Sequence, residues 1–390
     1  MTDAPSDRRP FWPRRSPAFL RARRAVRGVV GESLDDGPRT YQRRAPGAVV
    51  GLSGGADSLA LTAACVAEAM AAGECGEDPH GCAAVHAVVV DHGLQEGSAA
   101  VAEKAAATAR GLGATAEIIR VDVPGGGDGA GEGPEAAART VRHAALHGAA
   151  LRLGRPLLLA HTLDDQAETV LLGLARGAGP AALSGMAPDR TWDDGVRVLR
   201  PFLFSGGPLR RADTEAVCEE LGVAPWHDPH NSDDRYARVR ARRAALPMLE
   251  ELLGPGIAAN LARTADLVRT DAAALDGWAD DALGDALIDA AAPAAPGTAN
   301  GLDAGTVAKL PDAVRTRALK KWAEANGASA LTTAHIAALD KLVVDHRGRG
   351  PVALPSAETP DQPGCRLEAH RKGGTLAVSR GSPDPAANPQ

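Results

Sequence analysis

The chain has 390 residues, 44% of them hydrophobic and 24% charged, with a formal net charge of -6. It is long enough for a full α/β domain plus a smaller second one, and its composition is ordinary for a soluble globular protein. No stretch approaches the roughly 18 uninterrupted apolar residues of a membrane span, and no apolar run with a cleavage site follows the Arg- and Pro-rich N-terminus, so a cytoplasmic protein with no membrane partner is expected.

Cys65, Cys75, Cys82, Cys218 and Cys365 are odd in number and hold no C-x-x-C pair, which argues against a disulfide framework, a zinc ribbon or an iron-sulfur cluster. The net charge conceals basic clusters from Arg8 to Arg27 and from Arg235 to Arg243, while acid is concentrated after Glu250. Patches of this kind, rather than the total, set the field that a polyanion meets.

In chain order, residues 1–16 read as a disordered basic extension. From Pro17 to about Glu32, Phe19, Ala22, Val26 and Val29 recur at helical spacing, predicting an amphipathic helix docked on the first domain. Short apolar runs follow at Ala48–Leu52, Val85–Asp91, Ala116–Val121 and Pro156–His161, with a fifth at Val196–Leu199. Helical stretches separate the first four, so the fold class is α/β with a parallel doubly wound sheet. Pro124 to Gly133 is Gly-rich and reads as a mobile surface loop. After Pro247 come Ala- and Leu-rich helices, a break at residues 290–301, and further helices around Ala313–Asn326 and Thr333–Asp345. A short β-like tail closes the chain, with Gly373 and Gly374 suited to a hairpin turn. The expected division is an extension over 1–16, a nucleotide-binding domain over 17–246 and a smaller, mostly helical domain with a β-like tail over 247–390.

In doubly wound sheets ligands bind at the carboxyl ends of the strands, and the unusual residues cluster there. Strand one ends in Ser53-Gly54-Gly55, strand two in Asp91-His92-Gly93, and strand four in His161-Thr162-Leu163-Asp164-Asp165. Gly54 and Gly55 permit backbone dihedrals denied to other residues, and N–H groups opening the next helix form an anion site. No Lys follows the glycines and no G-x-G-x-x-G is present, so neither the usual mononucleotide loop nor the dinucleotide fingerprint applies. Asp57 inside the loop fits a divalent cation accompanying phosphates; capping by Ser53 and Asp57 alone would not need two glycines. Thr162 and Asp165 have capping-box spacing, which leaves His161, Asp164 and Glu168 unexplained. Arg139 and Arg142, three apart, share a helix face after Glu135.

A strand followed by Ser-Gly-Gly-x-Asp-Ser resembles the pyrophosphatase-loop (PP-loop) superfamily, whose members cleave ATP between the α and β phosphates. The blocks VDHGLQ (90–95), EAAARTVRHAAL (135–146), LAHTLDDQAETVLLGLARGAG (159–179), LRPFL (199–203) and HDPHNSDDRYARVRARRAALP (227–247), in this order, closely resemble the tRNA(Ile)-lysidine synthetases over about residues 20–250. The resemblance implies an adenine nucleotide alpha hydrolase-like, Rossmann-like catalytic domain, ATP and Mg2+ as cofactors, and as partners a tRNA(Ile) with a CAU anticodon and free L-lysine. It also implies the reaction: O2 of the wobble cytidine attacks the α-phosphorus of ATP and releases pyrophosphate, then the lysine ε-amine displaces AMP from C2. Carried onto this sequence, Ser53, Gly54, Gly55, Ala56, Asp57 and Ser58 hold pyrophosphate, Asp57 its magnesium, and Asp91 and His92 line the nucleotide pocket. Asp57, His161, Asp164 and Asp165 are the catalytic candidates; Arg139, Arg142, Asn231, Tyr236, Arg238 and Arg240 would contact tRNA or phosphate. Asp164 or Glu168 would take the lysine amine, and the helical domain and tail would grip the tRNA. His143, His230 and Val239 depart from the family's usual aromatic, Ser and Asn. A PP-loop tRNA sulfurtransferase would need paired cysteines or a cluster, and a non-catalytic nucleotide- or RNA-binding module would lack the acids that are present here. The sequence does not fix the oligomeric state and leaves a homodimer open.

Overall fold

The computed structural model describes residues 16–30, 47–73, 82–93, 97–122, 134–177, 179–204, 207–228, 233–288, 301–345, 350–356 and 367–380. The first fifteen residues of the basic extension, the Gly-rich insertion, His230 and Asn231 lie outside them. Two compact units divide the chain, Met1–Val268 and Arg269–Gln390. Among the described residues no helix is long and apolar enough to cross a membrane.

The first unit runs α1 (Pro17–Val30), β1 (Ala48–Gly51), α2 (Ala56–Ala71), β2 (Cys82–Asp91), α3 (Ser98–Gly111), β3 (Ala114–Arg120), α4 (Pro134–Leu153) and β4 (Leu157–Leu158). It continues with α5 (Leu163–Ala175), α6 (Pro180–Leu183), β5 (Asp189–Thr191), β6 (Arg197–Leu199), α7 (Arg211–Glu220), α8 (Ala237–Arg240) and α9 (Leu246–Leu253). The helix α10 (Ile257–Ala286) carries the boundary between the units. The sheet order is β3-β2-β1-β4-β6-β5. All neighbours are parallel except the edge pair β5–β6. Strand order reverses between β1 and β4, and that reversal opens a crevice at their carboxyl ends.

Alternation along β1 and β2 explains why both faces are covered. Val50, Val85 and Val89 pack with α2 and with Phe19, Ala22 and Val26 of α1, while Val49 and Val88 face Leu146, Ala149 and Ala150 of α4. Ser58 to Ala69 of α2 are buried all round, because α1 and α7 cover the side turned from the sheet. Arg23 and Arg27 of α1 meet the buried Glu68 of α2, and Arg21 pairs with Asp213 of α7. Two readings are adjusted. The fourth apolar run pairs as a strand only at Leu157–Leu158, because the chain turns at His161 into α5. The edge strand β5, with all three residues exposed, has no apolar alternation to betray it.

The second unit holds β7 (Leu287–Ile288), β8 (Gly301–Asp303), α11 (Ala304–Ala308), α12 (Asp312–Ala325), α13 (Thr333–Val344), β9 (Val352–Leu354), β10 (Leu367–Lys372) and β11 (Thr375–Arg380). Its antiparallel sheet, in the order β7-β8-β11-β10-β9, shares a core with Leu319, Trp322, Leu339 and Leu342 of the helices. The β-like tail is therefore three strands of a five-stranded sheet, with Gly373 at φ +64° in the turn of its hairpin. Strands β7 and β8 are too short to show a period.

Candidate active site

The strand-to-helix loop after β1 is built by its own side chains. Gly54 stands at φ +82°, where a Cβ would sit 3.1 Å from that of Ala105, so the left-handed backbone and the packing both demand glycine. Gly55 is at φ -75° and needs no such freedom; it is the N-cap of α2. The special dihedral therefore belongs to Gly54 alone of the pair. No side chain caps α2 at Gly55, which leaves first-turn N–H groups for an anion. Buried Ser58 closes the turn, its hydroxyl donating to Gly55 O at 3.0 Å and accepting from Ser53 N at 3.2 Å. The Trp226 N–H pins Gly54 O at 2.9 Å.

A cavity of about 310 Å³ opens beside this loop. That volume is at the lower end of the roughly 300–1,000 Å³ of small-molecule sites. Val88–Val90, Val101, Leu146 and Leu159 make an apolar end, and Ser53, Asp57, Asp91, His92, Arg142, His143, His161 and Asp165 supply polar groups. Asp91 is held ionised, its pKa lowered chiefly by a Ser98 hydrogen bond, with further donation from the Gly93 N–H at 3.1 Å. Arg200 Nε donates to His161 Nδ1 at 3.2 Å. The ring's pKa is lowered by burial above all and by Arg200 among its neighbours, so His161 is neutral with its proton on Nε2. His143 is pushed down to about 4 by burial and then by Arg139, Arg142 and Arg200. A depressed imidazole charges only as pH falls through its folded value, so its NMR signals are expected to stay constant from about pH 8 to 5 and to move near pH 4. A midpoint above 6 would place the ring outside this basic pocket.

At the end of the loop, acids and guanidiniums interlock. The carboxylate of Asp57 accepts from Thr214 Oγ1 and lies 3.7 Å from Arg211 Nε. Its pKa rises to about 6, burial being the largest cause and the Thr214 bond opposing it. Asp165 Oδ2 accepts from Thr162 N at 2.9 Å and Thr162 Oγ1 at 3.0 Å, and its Oδ1 meets Arg211 at 3.0 Å. Burial opposes its ionisation, but Arg211 and the Thr162 N–H help to outweigh it and lower the pKa. Asp164 Oδ2 accepts from the Arg211 backbone N–H at 2.7 Å. Glu168 is fully buried against Arg242 at 2.7 Å, Arg238 at 3.2 Å and Arg211 at 3.5 Å.

The loop residues, Asp91, His92, His161, Asp165 and Arg142 thus converge on one pocket or its rim, with Arg139 close enough to act on His143 and His161. Arg238 turns inward to Glu168 and Thr169, Arg240 donates to the carbonyls of Asp234 and Arg235, and half-buried Tyr236 is the N-cap of α8. Sequence reading missed Arg211, Thr214 and Trp226, and took Arg200 and Arg242 only as letters of larger blocks. Arg200 and Arg242 stand inside quoted motifs that could have flagged them; Arg211 and Thr214 open a helix whose pattern signals only an amphipathic surface.

A PP-loop domain description matches residues 33–249, and a TilS substrate binding domain description matches residues 302–376. The chain is 45% identical to the tRNA(Ile)-lysidine synthase of Rhodococcus erythropolis, over 93% of this chain and 96% of the relative. It is 46% identical to the synthase of Nocardia farcinica, over 93% and 99% respectively. It is also 46% identical to that of Leifsonia xyli subsp. xyli, over 85% and 92%.

Proposed function

Because this chain belongs to the tRNA(Ile)-lysidine synthase family, we propose that its pocket adenylates O2 of the wobble cytidine of a tRNA(Ile) with a CAU anticodon and then transfers free L-lysine to C2. It is an ATP-using, ligase-type enzyme. The observation that carries the reading is the convergence of the anion loop at Ser53–Ser58 with Asp57, His161 and Asp165 around one cavity. The carbonyl-like oxygen of a cytosine is a poor leaving group until it is esterified, and the amine must lose a proton before it can attack.

In the first step, attack on the α-phosphorus breaks its bond to the bridging oxygen, and pyrophosphate leaves into the N–H groups that open α2. Neutral His161, with its proton on Nε2, donates to a phosphate oxygen, and Arg142 adds fixed positive charge at the pocket wall. Mg2+ takes one or two carboxylates plus substrate phosphates, a demand that Asp57 meets although the described residues form no cluster of three metal-ligating side chains. When bound, the metal would offset charge on the phosphates.

In the second step the ε-amine attacks C2 and AMP departs. Of the two acids considered for lysine, Glu168 has both oxygens engaged by guanidiniums, whereas Asp164 meets the Arg211 backbone N–H through one oxygen. Asp164 is therefore our choice for the amine. The second unit, where the substrate binding description matches, would hold the tRNA by shape and phosphate contacts. The sulfurtransferase alternative gains nothing here. Cys65 and Cys218 are both buried, and burial pushes the Cys218 thiol up to about 11, away from the reactive thiolate.

The test is incorporation of radiolabelled lysine into unmodified tRNA(Ile) with a CAU anticodon, beside a transcript whose wobble cytidine is uridine. Label in the cytidine transcript alone, with AMP formed stoichiometrically, is the expected result. Adenylation without lysine transfer would refute the second step.

A further inference from the structure

One cation touches four acids at the site, Asp57, Asp164, Asp165 and Glu168. Arg211, at the first position of α7, donates its backbone N–H to Asp164 and points its guanidinium at Asp165 (3.0 Å), Glu168 (3.5 Å) and Asp57 (3.7 Å). A different nitrogen faces each of the last three: Nη2, Nη1 and Nε. Only the planar guanidinium fork offers donors in fixed, divergent directions; an ammonium on a lysine stem is a single point. Asp57 opens α2 and Asp165 lies in the first turn of α5, so the side chain bridges two helices at the pocket. Burial is the main reason the Asp57 pKa rises, and the like charge of Asp165 adds to it. Arg211 is itself kept charged: burial disfavours the cation, but Asp165, Asp57 and Glu168 outweigh that cost. Its helix is anchored from behind, since Asp213 pairs with Arg21 of α1 and accepts from Arg210 N at 2.8 Å.

We infer that Arg211 is the positioning residue of the reaction: its fork holds Asp57 and Asp165 on the two sides of the pocket, so that one faces the pyrophosphate end and the other the reacting base. Arg211 does not line the cavity and acts through these acids. The inference rests on the adenylating reading of the site.

The experiment uses the full chain carrying Arg211→Lys or Arg211→Ala. It reads ATP–pyrophosphate exchange with the cytidine transcript, the unfolding midpoint, and rescue by millimolar guanidinium and methylguanidinium ions. Both variants are expected to lose about 10²-fold in kcat while KM for ATP changes less than about fivefold. Guanidinium is expected to restore Arg211→Ala by tenfold or more, with sodium at equal ionic strength restoring nothing. Exchange by either variant within threefold of the parent overturns the inference, because the fork would then be dispensable. Loss without rescue in a variant that unfolds at the parent's midpoint also overturns it. If Arg211→Ala does not fold, Arg211→Lys decides, since it keeps the charge and removes the fork. A parent chain that exchanges no pyrophosphate would defeat the adenylating reading and not this assignment alone.

Discussion

Asp57→Asn is expected to cut ATP–pyrophosphate exchange by about 10²- to 10³-fold while leaving the fold intact. Asparagine keeps the shape and an oxygen that can accept from Thr214 Oγ1, so the contact joining α2 to α7 survives. What disappears is the charge beside the anion loop, the feature that suits a metal-bound pyrophosphate. The stability change has a definite sign. Burial raises the Asp57 pKa to about 6, so between its unfolded value and pH 6 the native state binds more protons than the unfolded chain. The group's contribution to stability therefore falls as pH rises through that window. The variant should melt at or above the parent's temperature at pH 7, with the advantage vanishing below about pH 4. Exchange above a tenth of the parent's rate at saturating ATP and magnesium would remove Asp57 from the machinery.

Glu168→Ala is expected to destabilise the first unit strongly. The carboxylate is completely buried, and its loss removes the acid that Arg211, Arg238 and Arg242 share, leaving Asp165 to both Arg211 and Arg242 and Asp57 to Arg211. Removing one partner of a buried ion pair costs roughly 3–5 kcal/mol. The three guanidinium side chains are 23%, 35% and 27% exposed, so water can reach them and the lower end applies, about 3 kcal/mol. For a unit of this size that lowers the midpoint by roughly 6–12 °C, read by calorimetry on the transition containing the first unit. A shift under 2 °C would show that the cluster is solvated and contributes little.

The opening of the site was legible because its chemistry is local. A strand, a glycine that must turn left-handed and a helix start are neighbours in the chain, so the turn from Ser53 to Ser58 is readable from spacing alone. The doubly wound sheet was legible for a similar reason: parallel strands buried on both faces are continuous apolar runs, and β1 and β2 fall where those runs stand. Strands without that burial were silent. β5 is exposed along its length, and β7 and β8 acquire meaning only from the partners that align them.

The partners of Asp57, Asp164, Asp165 and Glu168 were not legible, because an ion pair across 46 residues, as between Asp165 and Arg211, leaves no period in either segment. The same limit hid the partner of Arg238, which stands in a basic run and meets a carboxylate 70 residues earlier. Sequence by itself determined the α/β class and the glycine turn after β1, since both follow from short-range periodicity and backbone sterics. Only the tertiary structure decided that Glu168 is spent on holding arginines and that Arg211 joins it to Asp57, Asp164 and Asp165, because charge pairing and desolvation depend on distances that the chain sets only once it is folded.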